Sequence, residues 1–278
     1  MMRSRLVRQS WLMLCLSVIT SALLAQTGAS AEFQPEVGQA GKDVIWVPTC
    51  QALVDKMLDM AKVTAQDYVI DLGSGDGRLV ITAAKRGARA LGIEYNPDMV
   101  DLSKRNAAKE RVLDKAQFMK ADIFQSDFSQ ATVITMFLLP ELNLKLRPLI
   151  LNLKPGTRIV SNSFTMEEWA ADETATVEGS DCGSYSTALL WIVPAKVQGT
   201  WKLPQGELTL KQTFQTFSGT FKSGTKNMPV MNGKLNGDLI HFRVGDASYT
   251  GRVNGNTMQG TYQSGGSSVN WTATKGGK

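Results

Sequence analysis

The chain has 278 residues, 43% of them hydrophobic, with a formal charge of +5, three cysteines and a single histidine, His241. That length fits one large α/β domain with a smaller module beside it, and the apolar fraction excludes a disordered chain. With one histidine and no CxxC, HExxH or His/Cys cluster, zinc hydrolysis and Ser-His-Asp catalysis are excluded as well.

The chain starts with Arg3, Arg5 and Arg8, followed by an apolar stretch over 11–24 broken by Ser17, Thr20 and Ser21. Ala29-Ser30-Ala31 then places small residues where a signal peptidase reads. This predicts a signal peptide over 1–31 and export, in a bacterium to the periplasm. The alternative is an uncleaved N-terminal anchor, the one route to membrane contact, although the apolar stretch is short for a span. The arginines are not paired, which argues against twin-arginine export, and Cys15 lies inside the apolar run, which argues against a lipoprotein.

Next, Thr49 is the expected N-cap of a helix reaching about Ala61, with Leu53, Met57 and Met60 on its apolar face. Strands are predicted over 68–72, 90–94, 117–121, 133–137 and 157–164, with a strong late strand over 187–193. Helices are predicted over 77–86, closed by Gly87, from Asn96 with Pro97 at its first position, and over 142–153 with a break at Pro148. This alternation implies an α/β, doubly wound, Rossmann-like sheet, and the closing segments without helices suit antiparallel edge strands. Export would permit a disulfide, nothing in the spacing of Cys50 and Cys182 indicates one, and two such isolated cysteines are more often free thiols; whether they pair is left open.

After Pro194 the texture changes to glycine, threonine and aromatic residues. About seven short strands, with turn signals at Asn232-Gly233, Asn236-Gly237 and Asn254-Gly255, predict a small all-β meander or barrel over 195–278. Its aromatic residues Trp201, Phe221, Phe242, Tyr249, Tyr262 and Trp271 are expected in the core. Charge divides at the same place: 32–194 holds 17 Lys and Arg against 22 Asp and Glu, whereas 195–278 holds 10 against 3. A basic module beside an acidic domain fits an anionic partner as well as it fits electrostatic docking within the chain.

The chemistry centres on Asp71-Leu72-Gly73-Ser74-Gly75-Asp76-Gly77, a strand end and glycine turn leading into a helix. Glycines allow the backbone to approach a ligand closely at the switch point of the sheet. Glu94 ends the next strand, where an acid can accept both ribose hydroxyls. A dinucleotide and S-adenosylmethionine both fit so far. Asp71 and Asp76, however, suit a cationic methionyl group and repel a pyrophosphate, and Asp122 follows the third strand, where an adenine amino group needs an acceptor. Acids at three successive strand ends favour S-adenosylmethionine.

Residues 68–107 resemble the first half of the class I, seven-strand methyltransferases. Met136-Phe137-Leu138-Leu139-Pro140-Glu141 and Leu153-Lys154-Pro155-Gly156-Thr157-Arg158 resemble the non-SET protein-lysine methyltransferases among them, and Trp46-Val47-Pro48-Thr49 resembles their upstream segment, which folds over the cofactor. The resemblance covers roughly 44–192 and leaves out the β module. It implies that Asp71, Gly73, Ser74 and Gly75 hold the methionyl part and Glu94 the ribose. Tyr95 and Ile123 would flank the adenine, with Asp122 at its amino group, and Pro48, Thr49 and Phe137 would border the cofactor. Phe137 to Glu141 would line the acceptor site, with Leu139, Pro140 and Glu141 at the reacting amine and Glu141 holding the lysine or relaying its proton. No metal is implied, and the Asn/Asp-Pro-Pro-aromatic motif of enzymes that methylate base amino groups is absent, which lowers nucleic-acid methylation in rank. The expected function is methyl transfer to a protein lysine. The alternatives are a small-molecule or lipid methyltransferase with the barrel holding an apolar substrate, and a non-catalytic binding protein on the same scaffold.

Overall fold

Successive residues of a strand face opposite sides of its sheet, and here both sides are apolar. Val69, Val133 and Val160 pack with Leu53, Val54 and Val80 in one core cluster. Their neighbours Ile70, Ile134 and Ile159 pack with Leu146, Ile150 and Trp191 in another. Burial on both faces is why these strands read as continuous apolar runs rather than alternating ones. The computed structural model describes residues 32–178 and 181–276. The expected signal peptide over 1–31, with its Ala29-Ser30-Ala31 run, lies outside the described residues. Among those residues, no helix is long and apolar enough to cross a membrane.

In chain order the elements are α1 (Gln51–Met60), β1 (Tyr68–Leu72), α2 (Arg78–Lys85), β2 (Arg89–Glu94), α3 (Pro97–Lys109), β3 (Ala116–Lys120), β4 (Val133–Met136), α4 (Pro140–Ile150), β5 (Arg158–Asn162), β6 (Glu173–Thr176) and β7 (Thr187–Ile192). The sheet order is β3-β2-β1-β4-β5-β7-β6. The pairs β1–β2, β2–β3, β1–β4 and β4–β5 are parallel. β7 runs antiparallel to both β5 and β6. The order reverses between β1 and β4, which opens a crevice at the carboxyl ends of those strands.

Several local expectations shift. The N-cap of α1 is Cys50, not Thr49. The Thr49 hydroxyl instead accepts a hydrogen bond from Asn162 Nδ2 at 3.1 Å. α4 starts at Pro140 and runs unbroken through Pro148. A proline forfeits its own amide bond and crowds the carbonyl four residues back, and here it does so in the last turn, since the helix ends two residues later. Asn96 does cap α3, accepting from the Asp98 N–H at 2.9 Å ahead of Pro97. β6 had no sequence signal, because its residues Glu173, Thr174, Ala175 and Thr176 lie at the sheet edge with little burial.

Cys50 and Cys182 are joined in a disulfide, with Cα atoms 5.0 Å apart across a sequence separation of 132. The pairing that the sequence left open is therefore made, against the commoner free-thiol case. Spacing could not show the pairing, because it arises when α1 packs beside the chain entering β7, in the cluster that holds Cys50, Cys182, Ala188 and Leu190.

The remaining strands are β8 (Gly199–Leu203), β9 (Gly206–Thr213), β10 (Thr216–Ser223), β11 (Lys226–Asn236), β12 (Leu239–Val244), β13 (Ala247–Asn254), β14 (Thr257–Ser264) and β15 (Ser267–Lys275). Each pairs antiparallel with the next, and β15 pairs back to β8, which closes an eight-stranded barrel. Inward residues including Trp201, Phe217, Phe242, Tyr249 and Trp271 fill it, as a barrel of this strand number allows. The strand that the sequence pattern does not reveal is β11. Asn232-Gly233 is not a turn but a bulge within it, with Asn232 at φ 53° and a register shift between Met231 and Lys234.

The barrel meets the sheet where β5 begins and β7 ends. Phe214, in the β9–β10 turn, stacks on Trp169 with ring centroids 5.9 Å apart. Gln215 Nε2 donates to the Ala170 carbonyl at 2.8 Å, and the Ala195 N–H donates to the Gly237 carbonyl at 2.8 Å. Gly237 lies so close to Gly156 that an added Cβ would come 2.9 Å from its Cα. From Gln34 onward the described residues form one compact unit.

Candidate active site

A cavity of about 600 Å³ lies at the carboxyl ends of β1, β2 and β4. Its floor is the turn between β1 and α2, where Gly73, Gly75 and Gly77 all have positive φ. Gly75 is required on two counts. Its φ is 54°, and a Cβ there would come 2.8 Å from the Trp46 Nε1. α3 fixes the turn from below: Ser103 Oγ donates to the Gly75 carbonyl at 2.8 Å, and Asn106 Nδ2 donates to the Asp76 carbonyl at 3.0 Å.

Asp71 lies at 2% exposure, and its carboxylate accepts from the Thr135 hydroxyl at 2.6 Å. The two residues face each other in the β1–β4 register. Burial pushes the Asp71 carboxyl up to about 7; the carboxylates of Glu94 and Asp76 add to the rise, and the Thr135 hydrogen bond opposes it. The Glu94 carboxylate is held by two backbone donors, the Gly75 N–H on Oε2 and the Asn96 N–H on Oε1, each at 2.9 Å. Ser74 Oγ is buried without a hydrogen-bond partner and borders the cavity.

Asp76 departs from its expected role. Its carboxylate is paired with Arg78, whose Nη1 also donates to the Thr49 carbonyl. The charge that disfavours a pyrophosphate is therefore carried by Glu94, joined by Asp71 once its raised carboxyl is ionised. Asp122 is also engaged: Oδ1 accepts from the Phe124 N–H at 2.9 Å and Oδ2 from Lys42 at 3.1 Å. The Phe124 hydrogen bond, then Lys42, holds this carboxyl below the usual range. Lys42 also lies 5.2 Å from the centre of the exposed Tyr95 ring, so the segment before α1 crosses the adenine end of the cavity.

Pro48, Thr49, Asp71, Gly73, Ser74, Gly75, Glu94, Tyr95, Asp122, Ile123 and Phe137 all border this one cavity. Of the expected acceptor residues, Phe137, Leu138 and Leu139 border it, and Pro140 and Glu141 do not. Pro140 opens α4, and the first turn of that helix leaves Glu141 exposed to solvent away from the cavity. Sequence reasoning missed Lys42, Thr135, Phe164 and Tyr185. Thr135 was accessible from strand register; the others come from irregular segments with no periodicity to expose them.

The donor set fits S-adenosylmethionine. A buried carboxyl faces the place for a cation, an unpartnered Ser74 hydroxyl is free for a polar ligand atom, and backbone donors orient the Glu94 carboxylate. A second concavity, of about 960 Å³, lies on the outer face of the barrel. Gly251 and Gly260 are register partners beneath it, and Lys234, His241 and Arg252 border it without any carboxylate among its lining residues.

The family model of the ANTKMT methyltransferase domain matches residues 71–173. A protein-lysine N-methyltransferase from Saccharolobus islandicus (strain REY15A) is 42% identical over 153 residues, which covers 54% of this chain and 94% of the relative. An ATP synthase c-subunit lysine N-methyltransferase from Mus musculus is 33% identical over 177 residues, covering 63% of this chain and 70% of the relative. Among solved structures, an RNA methyltransferase from Salinibacter ruber in complex with S-adenosyl-L-homocysteine is 44% identical, with a TM-score of 0.51, over 54% of this chain and 96% of that one.

Proposed function

The chain belongs to the protein-lysine N-methyltransferases, built on the class I, S-adenosylmethionine-dependent fold, and from that premise we propose that it methylates the ε-amine of lysine in a protein outside the cytoplasm. The observation that carries the cofactor assignment is the convergence of Asp71, Glu94 and Asp122 on one cavity around the glycine turn.

S-adenosylmethionine supplies a methyl group on a sulfonium, a leaving group that needs no protonation. Asp71 and Ser74 would hold its methionyl end. A cation beside Asp71 favours the ionised carboxylate, so cofactor binding draws a proton off this residue. Glu94 would accept the ribose hydroxyls, its orientation already set by Gly75 and Asn96. Asp122 would meet the adenine amino group while sharing its carboxylate with Lys42. Phe137, Leu138 and Leu139 form an apolar wall beside this site. A lysine entering against that wall loses water, and desolvation disfavours its charged form. The ammonium gives its proton to bulk water as it enters, and the neutral amine takes the methyl carbon while the sulfur leaves as a neutral thioether. Alignment of amine, methyl carbon and sulfur then supplies most of the rate.

Calorimetric titration with S-adenosylmethionine tests the site. The wild type binds, and Asp71→Ala and Glu94→Ala each weaken binding by about 100-fold or more, the scale of losing a hydrogen bond to a charged group in a buried site. Equal affinity in all three proteins contradicts the assignment.

Export is supported by the arginines, apolar stretch and small residues of the first 31 positions, and by the Cys50–Cys182 disulfide, a bond that persists in oxidising compartments. We place the enzyme in the bacterial periplasm, with an uncleaved membrane anchor as the alternative. Cell fractionation with the N-terminus sequenced distinguishes them. A periplasmic protein starting at Glu32 supports export; an intact Met1 in the cytosol contradicts it.

A further inference from the structure

We propose that Phe137, Phe164 and Tyr185 form an aromatic collar that grips the side chain of the acceptor lysine, and that the Cys50–Cys182 disulfide holds Tyr185 in that collar, so that acceptor recognition requires the oxidised protein. The inference rests on the lysine-methyltransferase reading above and assigns residues and a redox condition to the acceptor half of the site.

The three rings form a closed triangle. Centroids are 6.0 Å apart for Phe137 and Phe164, 5.1 Å for Phe137 and Tyr185, and 5.9 Å for Phe164 and Tyr185. All three border the cavity that holds Asp71 and Glu94. None is fully buried, and Tyr185 is 37% exposed, so the triangle stands at the mouth and not in the core. Phe137 and Phe164 are stacked, Tyr185 meets Phe137 edge-on, and this aromatic rim suits the four-carbon stem of lysine, which lays its methylenes along it while its amine reaches further in.

Two of the rings are fixed by the sheet. Phe137 follows β4 directly. Phe164 follows Ser163, which adopts φ 60°, a left-handed conformation uncommon for serine that turns the chain out of β5. That turn is locked by Ser163 Oγ donating to Asn162 Oδ1 at 2.8 Å and by the Ser163 N–H donating to the Thr187 carbonyl at 2.7 Å. Asn143 Nδ2 donates to the Phe164 carbonyl at 3.2 Å.

Tyr185 has no such support. It lies in the connection between β6 and β7. Among the described residues, the hydrogen bonds made by 181–186 stay within that connection: the Tyr185 N–H to the Cys182 carbonyl at 3.2 Å, and the Val177 N–H to the Ser186 carbonyl at 2.9 Å. The covalent tie to the body is the disulfide from Cys182 to Cys50, at the N-terminus of α1. Cutting it returns conformational freedom to the connection and to the ring three residues further on.

The test uses the full-length protein, saturating S-adenosylmethionine and poly-L-lysine as acceptor. Tyr185→Ala, and separately the double variant Cys50→Ser/Cys182→Ser, raise KM for poly-L-lysine about tenfold, the scale of one aromatic contact. Both leave kcat and cofactor affinity within about twofold of wild type, a change of less than about 0.5 kcal/mol. Tyr185→Phe keeps the wild-type KM, since the ring and not the hydroxyl grips the stem. Tyr185→Ala in the cysteine-free background adds no further loss. Dithiothreitol raises KM in the wild type and leaves the cysteine-free variant unmoved. Hydrogen exchange at 181–186 rises in the cysteine-free variant and independently reports release of the connection. An unchanged KM in Tyr185→Ala overturns the collar, and an unchanged KM in the cysteine-free variant overturns its dependence on the disulfide. A wild type that binds S-adenosylmethionine but methylates no lysine overturns the underlying reading and this inference with it.

Discussion

At the scale of single residues, the cleft works by setting the charge of Asp71. Its carboxyl is buried at the end of β1 and raised to about 7, so near neutrality about half of the molecules hold a proton there that a cationic ligand must displace. Affinity for S-adenosylmethionine is therefore expected to fall as pH drops below about 7, approaching tenfold per pH unit, and to be flat in Asp71→Asn. Titration calorimetry across pH 5.5 to 8.5, a range chosen around the value of about 7, reads this directly. The stability of the ligand-free protein has a matching sign. A carboxyl whose folded value is raised contributes stability below its unfolded value near 4, and that contribution is lost as pH rises through about 7. Asp71, Glu94 and Asp122 were legible in the sequence because each terminates or follows a predicted strand, and strand ends gather at one edge of a parallel sheet. Lys42 and Tyr185 were not, because they reach the cavity from irregular segments. Glu141 was misplaced because its role depended on where α4 begins, and Pro140 at the first helical position leaves it exposed.

At the scale of elements, the parallel strands were legible because burial on both faces writes them as apolar runs, whereas β6 and β11 were not. β6 is a polar edge strand. In β11, Pro229 and Asn232-Gly233 carry turn signals, yet Pro229 pairs only towards β10, and the Asn-Gly pair is absorbed as a bulge. The turn between β9 and β10 has a different task. Phe214 adopts φ 52° there and stacks on Trp169, while the Arg147 guanidinium lies 5.5 Å from its ring centre. Phe214→Ala removes this partly buried seat and is expected to destabilise the protein by about 1–2 kcal/mol. Because the seat lies at the edge of the sheet where β5 begins, cofactor affinity should not change. Thermal unfolding read beside calorimetry checks both halves, and a loss of affinity comparable to the loss of stability would show that the turn and the cleft are coupled.

At the scale of the whole molecule, the two halves have separate work. The sheet gathers the acids, the glycine turn and the apolar wall into one cleft. The barrel has a filled interior and docks at the opposite edge, so it does not hold an apolar substrate beside the cofactor site. That leaves the lysine-methyltransferase family as the frame for the cleft, although the Salinibacter ruber structure similar to this chain is named an RNA methyltransferase. The most direct measurement incubates the purified protein with S-adenosylmethionine labelled at the methyl group, together with a lysine-bearing protein mixture and RNA, and locates the label by mass spectrometry. Label on lysine ε-amines, absent with Asp71→Ala, is the expected result. Label confined to RNA, or none on any lysine while the cofactor still binds, would contradict it.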